Sequence, residues 1–533
     1  MKGLAGTRTL TALALRRDRI MLPAWIAVFA LVGGMSAAAG KSLYVSQADL
    51  ETAGNVWNSS TALVAMYGRV YDVTSLGAVS LIKLTGMGAV WVALLTSMLV
   101  IRHTRADEEV GRSELAAGGV VGRYAPLTSA LIIGVGTSVV LSAATSLAIA
   151  AGGLPVAGSA SLGAAWAGAG IAFAAVAAVA AQLTTGARAA RGLASTALAV
   201  AFVIRAVGDT AGPDGPRWIS WFSPVGWAQQ IRPFAGDRPW PLALTLVFTL
   251  VMAGVAVRLL NRRDLGAGLL ADRAGPADAG RLLGSPLGLA WRLQRLALLG
   301  WTVGFVVLGF LIGSIATTIV DLLDNPRIAH MMKLLGGVDR LTDAFLSAEL
   351  GFAAIFASAF GISAAMRMSG EEAQGRAESV LATASGRVAW AAAHMAVALF
   401  GTVVLVATVG LSAGVGYAVV AGDTGLVGET FGAALVRLPA VWVLTTLVIA
   451  LYGLGRRLTV VAWVALVGFI VIGEFGPLMD LPRWTLDLSP YTHVPSLPGG
   501  DLEVAPLLWL TGVAAALLII GLAGFRRRDL QPD

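Results

Sequence analysis

Apolar runs of roughly membrane-spanning length recur along the whole 533-residue chain, and nothing else in it restricts the fold as strongly. They fall near 20–40, 76–101, 124–152, 160–183, 191–208 and 240–260, then near 296–318, 345–366, 388–418, 433–454, 458–475 and 505–525. A helix needs about 20 apolar residues to cross hydrocarbon, because lipid offers no partner for an open backbone N–H or C=O. Only 13% of the residues are charged and mean hydropathy is +0.78, where a soluble domain carries about 25% charge. That excludes an ordinary soluble enzyme and a disordered chain. The pattern predicts an all-α polytopic membrane protein with about 12 transmembrane helices. The 65 glycines suit close helix packing in lipid. With no Cys and four His there is no disulfide or thiolate–metal chemistry, and neither a metal site nor a catalytic residue is expected.

Charge sets the expected orientation. With the N-terminus inside, the inner segments hold 26 Lys and Arg residues and the outer loops 41–75, 209–239, 321–344 and 476–502 hold nine. This asymmetry predicts both termini on the cytoplasmic side of the membrane. It also accounts for the net charge of +7 without a nucleic-acid partner. Arg16, Arg17 and Arg19 before an apolar run resemble a secretory signal, but the same pattern returns at 289–309, where a signal peptide cannot stand. Residues 1–19 therefore read as a short helix in the membrane interface, with Leu10, Leu13 and Leu15 toward lipid.

The two halves of the chain align. Leu13, Arg16, Trp25 and Gly33 match Leu289, Arg292, Trp301 and Gly309 at a spacing of 276. Glu108, Gly111, Arg112, Glu114, Gly122 and Arg123 match Glu372, Gly375, Arg376, Glu378, Gly386 and Arg387 at 264. Arg262-Arg263-Asp264-Leu265 matches Arg527-Arg528-Asp529-Leu530 at 265. These matches predict a first six-span half over 1–265, a cytoplasmic linker over 266–288 and a second half over 289–533. An even number of spans per half makes the repeats parallel, with a substrate path expected on the axis between them.

The segments after the second span of each half are the most informative. Both run acid, Gly-Arg, acid, small residues, Gly-Arg: Glu108–Arg123 with Glu109, and Glu372–Arg387. Acids early in a short helix favour its N-terminus, and Gly111 and Gly375 permit a turn, so each segment reads as an interfacial helix displaying carboxylates to a partner. The pattern Glu-x-x-Gly-x-x-Glu resembles the cytoplasmic coupling segment of type-2 class ABC transporter permeases; Ser379 stands where the usual Leu is found at Leu115. The fused double-half form resembles actinobacterial exporters of polyketide antibiotics such as tetronasin. The resemblance implies that Glu108, Glu109, Gly111, Arg112, Glu114, Glu372, Gly375, Arg376 and Glu378 couple the chain to two copies of a separate ATP-binding subunit. No G-x-x-x-x-G-K-[ST] loop fits among the four lysines, so ATP and Mg belong to those partners and none to this chain. The implied function is the membrane subunit of an exporter of hydrophobic or amphiphilic compounds, antibiotics included. Two alternatives are a proton-driven secondary multidrug transporter and an ABC exporter of lipid or polymer.

Further candidates lie in or beside the spans. Lys83 and Glu349, 266 residues apart, either pair across the axis or snorkel separately to the interface. Met87, Trp91, Phe352 and Phe356 are candidates for an apolar substrate cavity. Trp218, Trp221, Phe222 and Trp227 around Ser223-Pro224 form either an aromatic belt or an outer gate.

Overall fold

A computed structural model describes residues 2–530 apart from 45, 212–214, 265, 271–277, 279, 322–337 and 476–481. Among the described residues every regular element is a helix. The chain forms two compact units, Met1–Ala274 and Gly275–Asp533. The division falls inside the segment 266–288, which lies partly outside the described residues, as do the loops 321–344 and 476–502.

The first unit runs α1 (Thr7–Arg17), α2 (Met21–Leu43), α3 (Gln47–Ser59), α4 (Thr61–Tyr67), α5 (Leu76–Ser80), α6 (Ile82–Arg102), α7 (Arg105–Glu109), α8 (Arg112–Ala117), α9 (Ala125–Ala151), α10 (Val156–Leu183), α11 (Ala187–Thr210), α12 (Pro224–Gln230) and α13 (Pro241–Leu260). The second runs α14 (Pro286–Asp321), α15 (Val338–Ala365), α16 (Arg367–Ala373), α17 (Arg376–Leu381), α18 (Arg387–Ala421), α19 (Leu426–Leu435), α20 (Leu438–Leu454), α21 (Val461–Phe475), α22 (Arg483–Leu486) and α23 (Val504–Arg527).

Eleven helical stretches among the described residues are long and apolar enough to cross a membrane. The protein is an all-α, multi-pass membrane protein. The remaining apolar run, 458–475, begins with a 3-10 turn at Arg456–Val460, and α21 has 15 residues up to the stretch 476–481, which lies outside the described residues. Two further departures from the sequence pattern have local causes. The stretch Leu426–Leu454 covers the span expected at 433–454 but carries a turn at Val436-Arg437 between α19 and α20, where Pro439 brings no N–H to the first turn of α20. The span expected at 296–318 belongs to α14, a single helix of 36 residues. In the first unit Asp18 interrupts the equivalent stretch: its carboxylate is held by His103 at 2.6 Å and Arg102 at 3.0 Å, and the chain leaves the helix there. Gln294 stands at the matching place in α14 and stays helical, its side-chain amide 3.4 Å from the buried His394 ring.

Small side chains set the packing, as expected where lipid removes most of the hydrophobic drive between helices. A Cβ added at Gly88 would lie 1.9 Å from the Trp166 ring, so α6 can seat that indole only through glycine. The indole N–H donates to the Leu84 carbonyl at 3.1 Å. Hydroxyls bridge the same helices, Thr96 Oγ1 donating to the Gly170 carbonyl at 2.8 Å. In the second unit α20 and α23 cross at glycine: a Cβ at Gly521 would sit 2.4 Å from the Ile449 backbone.

Candidate functional site

The segments that follow α6 and α15 have one construction. Each is a pair of short helices, α7–α8 and α16–α17, turned at a glycine in the left-handed region: φ is +73° at Gly111 and +68° at Gly375. No atom lies within 4 Å of where a Cβ would stand on either, so glycine answers the backbone angle and not a crowded site.

In each turn two adjacent acids, Asp107-Glu108 and Glu371-Glu372, face different arginines. The first pairs with the arginine just after the turn: Asp107 with Arg112 at 3.1 Å, and Glu371 with Arg376 at 2.7 Å. The second reaches the end of the unit's last long helix. Arg263 Nη2 and Nη1 donate to the two Glu108 oxygens at 2.7 and 3.0 Å. Arg528 Nη2 and Nη1 donate to the two Glu372 oxygens at 2.7 and 2.9 Å. The arginine that closes each motif caps the same corner. Arg123 donates to the Leu260 carbonyl at 2.9 Å and the Arg263 carbonyl at 3.2 Å, and Arg387 donates to the Arg528 carbonyl at 2.8 Å. A guanidinium suits this position, where the last carbonyls of a helix lack intrahelical partners.

Burial makes the Glu372–Arg528 pair strong. Glu372 is 1% exposed, and a two-pronged guanidinium–carboxylate contact gives charge-assisted bonds in fixed geometry. Burial works against the charge on Arg528, but the hydrogen bonds and charge of Glu372 outweigh it and hold the guanidinium above its ordinary value. The ring of Tyr452 covers the guanidinium at 4.8 Å. In the first unit Arg105 adds a second cation to Glu108 at 2.7 Å and also donates to the Ala181 and Ala267 carbonyls. Gln182 accepts from Arg263 Nε at 2.7 Å. A cavity of about 370 Å³ lies beside this cluster, lined by Glu108, Arg123 and Arg263.

The inward carboxylates correct the picture of a segment displaying both Glu108 and Glu372 outward. An arginine at the end of each final helix takes them instead, Arg263 buried and Arg528 half-buried. Glu109 is exposed, yet its carboxylate accepts the Ala187 N–H at 3.1 Å and caps α11. What the turns do present is Glu114 and Glu378, exposed in the first turns of α8 and α17. Leu115 beside Glu114 is 83% exposed; its counterpart Ser379 is also exposed but polar. The first segment is anchored further to the N-terminal helix. Arg17 pairs with Asp107 at 2.8 Å, and Gly122 and Tyr124 donate their N–H groups to the Ala5 and Gly3 carbonyls at 2.9 Å.

Asp107, Glu371, Arg105, Arg263 and Arg528 were not among the coupling residues expected from the sequence, and Arg263 and Arg528 entered there only as members of a repeat. The readable signal for two of them was the Arg-Arg-Asp-Leu match, which recurs at almost the same spacing as the acidic motif.

The remaining candidates are scattered. Lys83 is exposed on α6, its Nζ 5.9 Å from the centre of the Tyr67 ring, while Glu349 lies partly buried on α15 in the other unit. Met87 and Trp91 belong to α6, and Phe352 and Phe356 to α15; Phe352 lines a cavity within the second unit. Of the four outer aromatics, Trp221 stacks on Trp240 at 4.9 Å and Trp227 meets Phe248 edge-on at 5.6 Å, both against α13. Trp218 and Phe222 form a separate, exposed pair at 5.8 Å.

The chain has known relatives. Residues 283–526 match the family model of the C-terminal domain of the multidrug efflux system permease Rv1217c. Over 532 residues the chain is 42% identical to the multidrug efflux system permease protein Rv1217c of Mycobacterium tuberculosis, covering 99% of this chain and 96% of that relative. The chain belongs to the family of the multidrug efflux system permease Rv1217c.

Proposed function

We propose that this chain is the membrane subunit of an ATP-driven multidrug exporter of the type-2 ABC class. It carries hydrophobic and amphiphilic compounds out of a bacterial cell, and polyketide antibiotics of the tetronasin kind are the narrower expectation. Two copies of a separate ATP-binding subunit grip the α7–α8 and α16–α17 turns from the cytoplasm, where both termini lie. The two units act as tandem repeats. The family membership supports the efflux role, through the relative's name.

The observation that carries the coupling reading is the recurring bond between each turn and the end of its unit's last helix, Glu108 to Arg263 and Glu372 to Arg528. A turn tied this way cannot move without the helix it holds. Glu114, Glu378 and Leu115 supply the outward contacts; the inward acids convert a displacement of the turn into a displacement of α13 or α23. The chain does no hydrolysis itself. It binds cargo, moves it and transmits the push.

The test is co-purification with a separate ABC ATP-binding subunit from the same cell, followed by cargo-stimulated ATP hydrolysis in reconstituted vesicles. Joint Glu114→Lys and Glu378→Lys substitution is expected to release the ATPase without unfolding the chain. Joint Glu108→Gln and Glu372→Gln substitution is expected to retain the ATPase but uncouple hydrolysis from transport. Transport by the isolated chain on an ion gradient alone would overturn the proposal.

A further inference from the structure

Each unit buries a guanidinium far along the chain from its acidic turn, and the two are treated differently. In the first unit Arg205 donates to the Val64 and Met66 carbonyls at 3.3 and 3.1 Å and has a carboxylate, Asp209, at 3.6 Å. In the second unit Arg437 is 5% exposed. Its Nη2 donates to the Ser347 carbonyl at 2.7 Å, the Leu497 carbonyl at 3.1 Å and Ser347 Oγ at 3.1 Å, and its Nη1 donates to the Ala433 carbonyl. These partners satisfy N–H groups but bring no net charge. Among the described residues no carboxylate forms an ion pair with Arg437.

Its position adds to the imbalance. Arg437 stands in the break between α19 and α20, about 22 Å along α20 from Tyr452 at 1.5 Å per residue. A turn within a candidate span is tolerated where the backbone lines a cavity. Arg437 does line one, of about 260 Å³. Gly351, Phe352 and Ile355 of α15 form an apolar wall, and Tyr491, Thr492 and Ser496 contribute polar atoms. A Cβ at Gly351 would meet nothing within 4 Å, so that wall is open space. A buried positive charge, a cavity against it and an apolar side wall together fit a ligand with an anionic head and a hydrocarbon tail.

We propose that this cavity binds the phosphate or carboxylate head of an amphiphile, with Arg437 compensating the charge and Phe352 and Ile355 receiving the first carbons of the tail. The site is independent of the energy source, and the measurement below needs no ATPase, so its outcome is separable from that of the exporter reading.

The purified full chain, in nanodiscs of zwitterionic phosphatidylcholine, is titrated with dansylaminoundecanoate and with its uncharged methyl ester, empty nanodiscs serving as the blank. The acid is expected to bind more tightly than the ester. Arg437→Gln should weaken the acid by about 10-fold or more and leave the ester unchanged, as the loss of one charge-assisted contact requires. Gly351→Phe fills the cavity and keeps Arg437, and should abolish saturable binding of the acid. If Arg437→Gln does not fold, Gly351→Phe decides alone. Displacement of the acid by phosphatidylglycerol in the disc identifies a lipid head as the natural occupant, whereas competition by dodecyl phosphate alone identifies a single-chain amphiphile; both outcomes support the site. Equal affinity for acid and ester, or undiminished acid binding by Gly351→Phe, overturns it.

Discussion

At Glu372 a single proton's worth of charge decides how the second unit holds its last helix. Glu372→Gln leaves Arg528, whose side chain is 10% exposed, without a counter-charge. Removing one partner of a buried pair typically costs about 3–5 kcal/mol. We expect a clearly lower midpoint in thermal denaturation of the purified chain, while Glu378→Gln, on the same turn but exposed, leaves it in place. Equal midpoints for the two variants would show that the buried pair does not stabilise the unit. At the glycines the cost is conformational: Gly111→Ala and Gly375→Ala should each lose about 1–2 kcal/mol, since their φ angles of +73° and +68° disfavour a Cβ. Asn at either place should recover most of that loss, and denaturation midpoints that do not separate Ala from Asn would refute the argument. The type of residue in these turns was legible in the sequence; its direction was not. Periodicity relates a residue to its own helix, but the partners of Glu108 and Glu372 lie 155 and 156 residues downstream. Only the parallel recurrence of an acidic motif and an arginine motif hinted that one binds the other.

Helices were far easier to read than contacts. Lipid demands long apolar runs with internally satisfied backbone, so nearly every expected span coincides with a helix to within a few residues. The departures are local: Pro439 divides α19 from α20, Leu81 divides α5 from α6 within the run 76–101, and α14 carries the run 296–318 inside a helix of 36 residues. Which helices would touch was not legible, because small residues occur on nearly every face. The crossing of α20 and α23 is set by Gly453 and Gly521, where added Cβ atoms would lie 2.6 and 2.4 Å from facing backbone. Neither backbone can yield as a flexible side chain would. Gly521→Val is therefore expected to separate the pair, seen as new protease cleavage near 500–530, whereas Gly512→Val, with nothing within 4 Å, is expected to remain intact. Equal resistance of both variants would show that the crossing tolerates a larger residue.

For the whole molecule the orientation is directly testable, because the chain contains no cysteine to be removed first. Glu114→Cys and Asp529→Cys should react with a membrane-impermeant maleimide only after the cells are opened, and Trp218→Cys should react in intact cells. The reverse pattern would invert the proposed topology and put both acidic turns beyond the reach of a cytoplasmic motor. The two units also differ mechanically. The first has a turn at Asp18 between α1 and α2, pinned by His103 and Arg102. The second has none: α14 continues through all 36 residues, roughly 54 Å of unbroken helix at 1.5 Å per residue. If the proposed motor pushes at its foot, a tilt of α14 must reappear at its far end, because no turn along the helix takes up the angle.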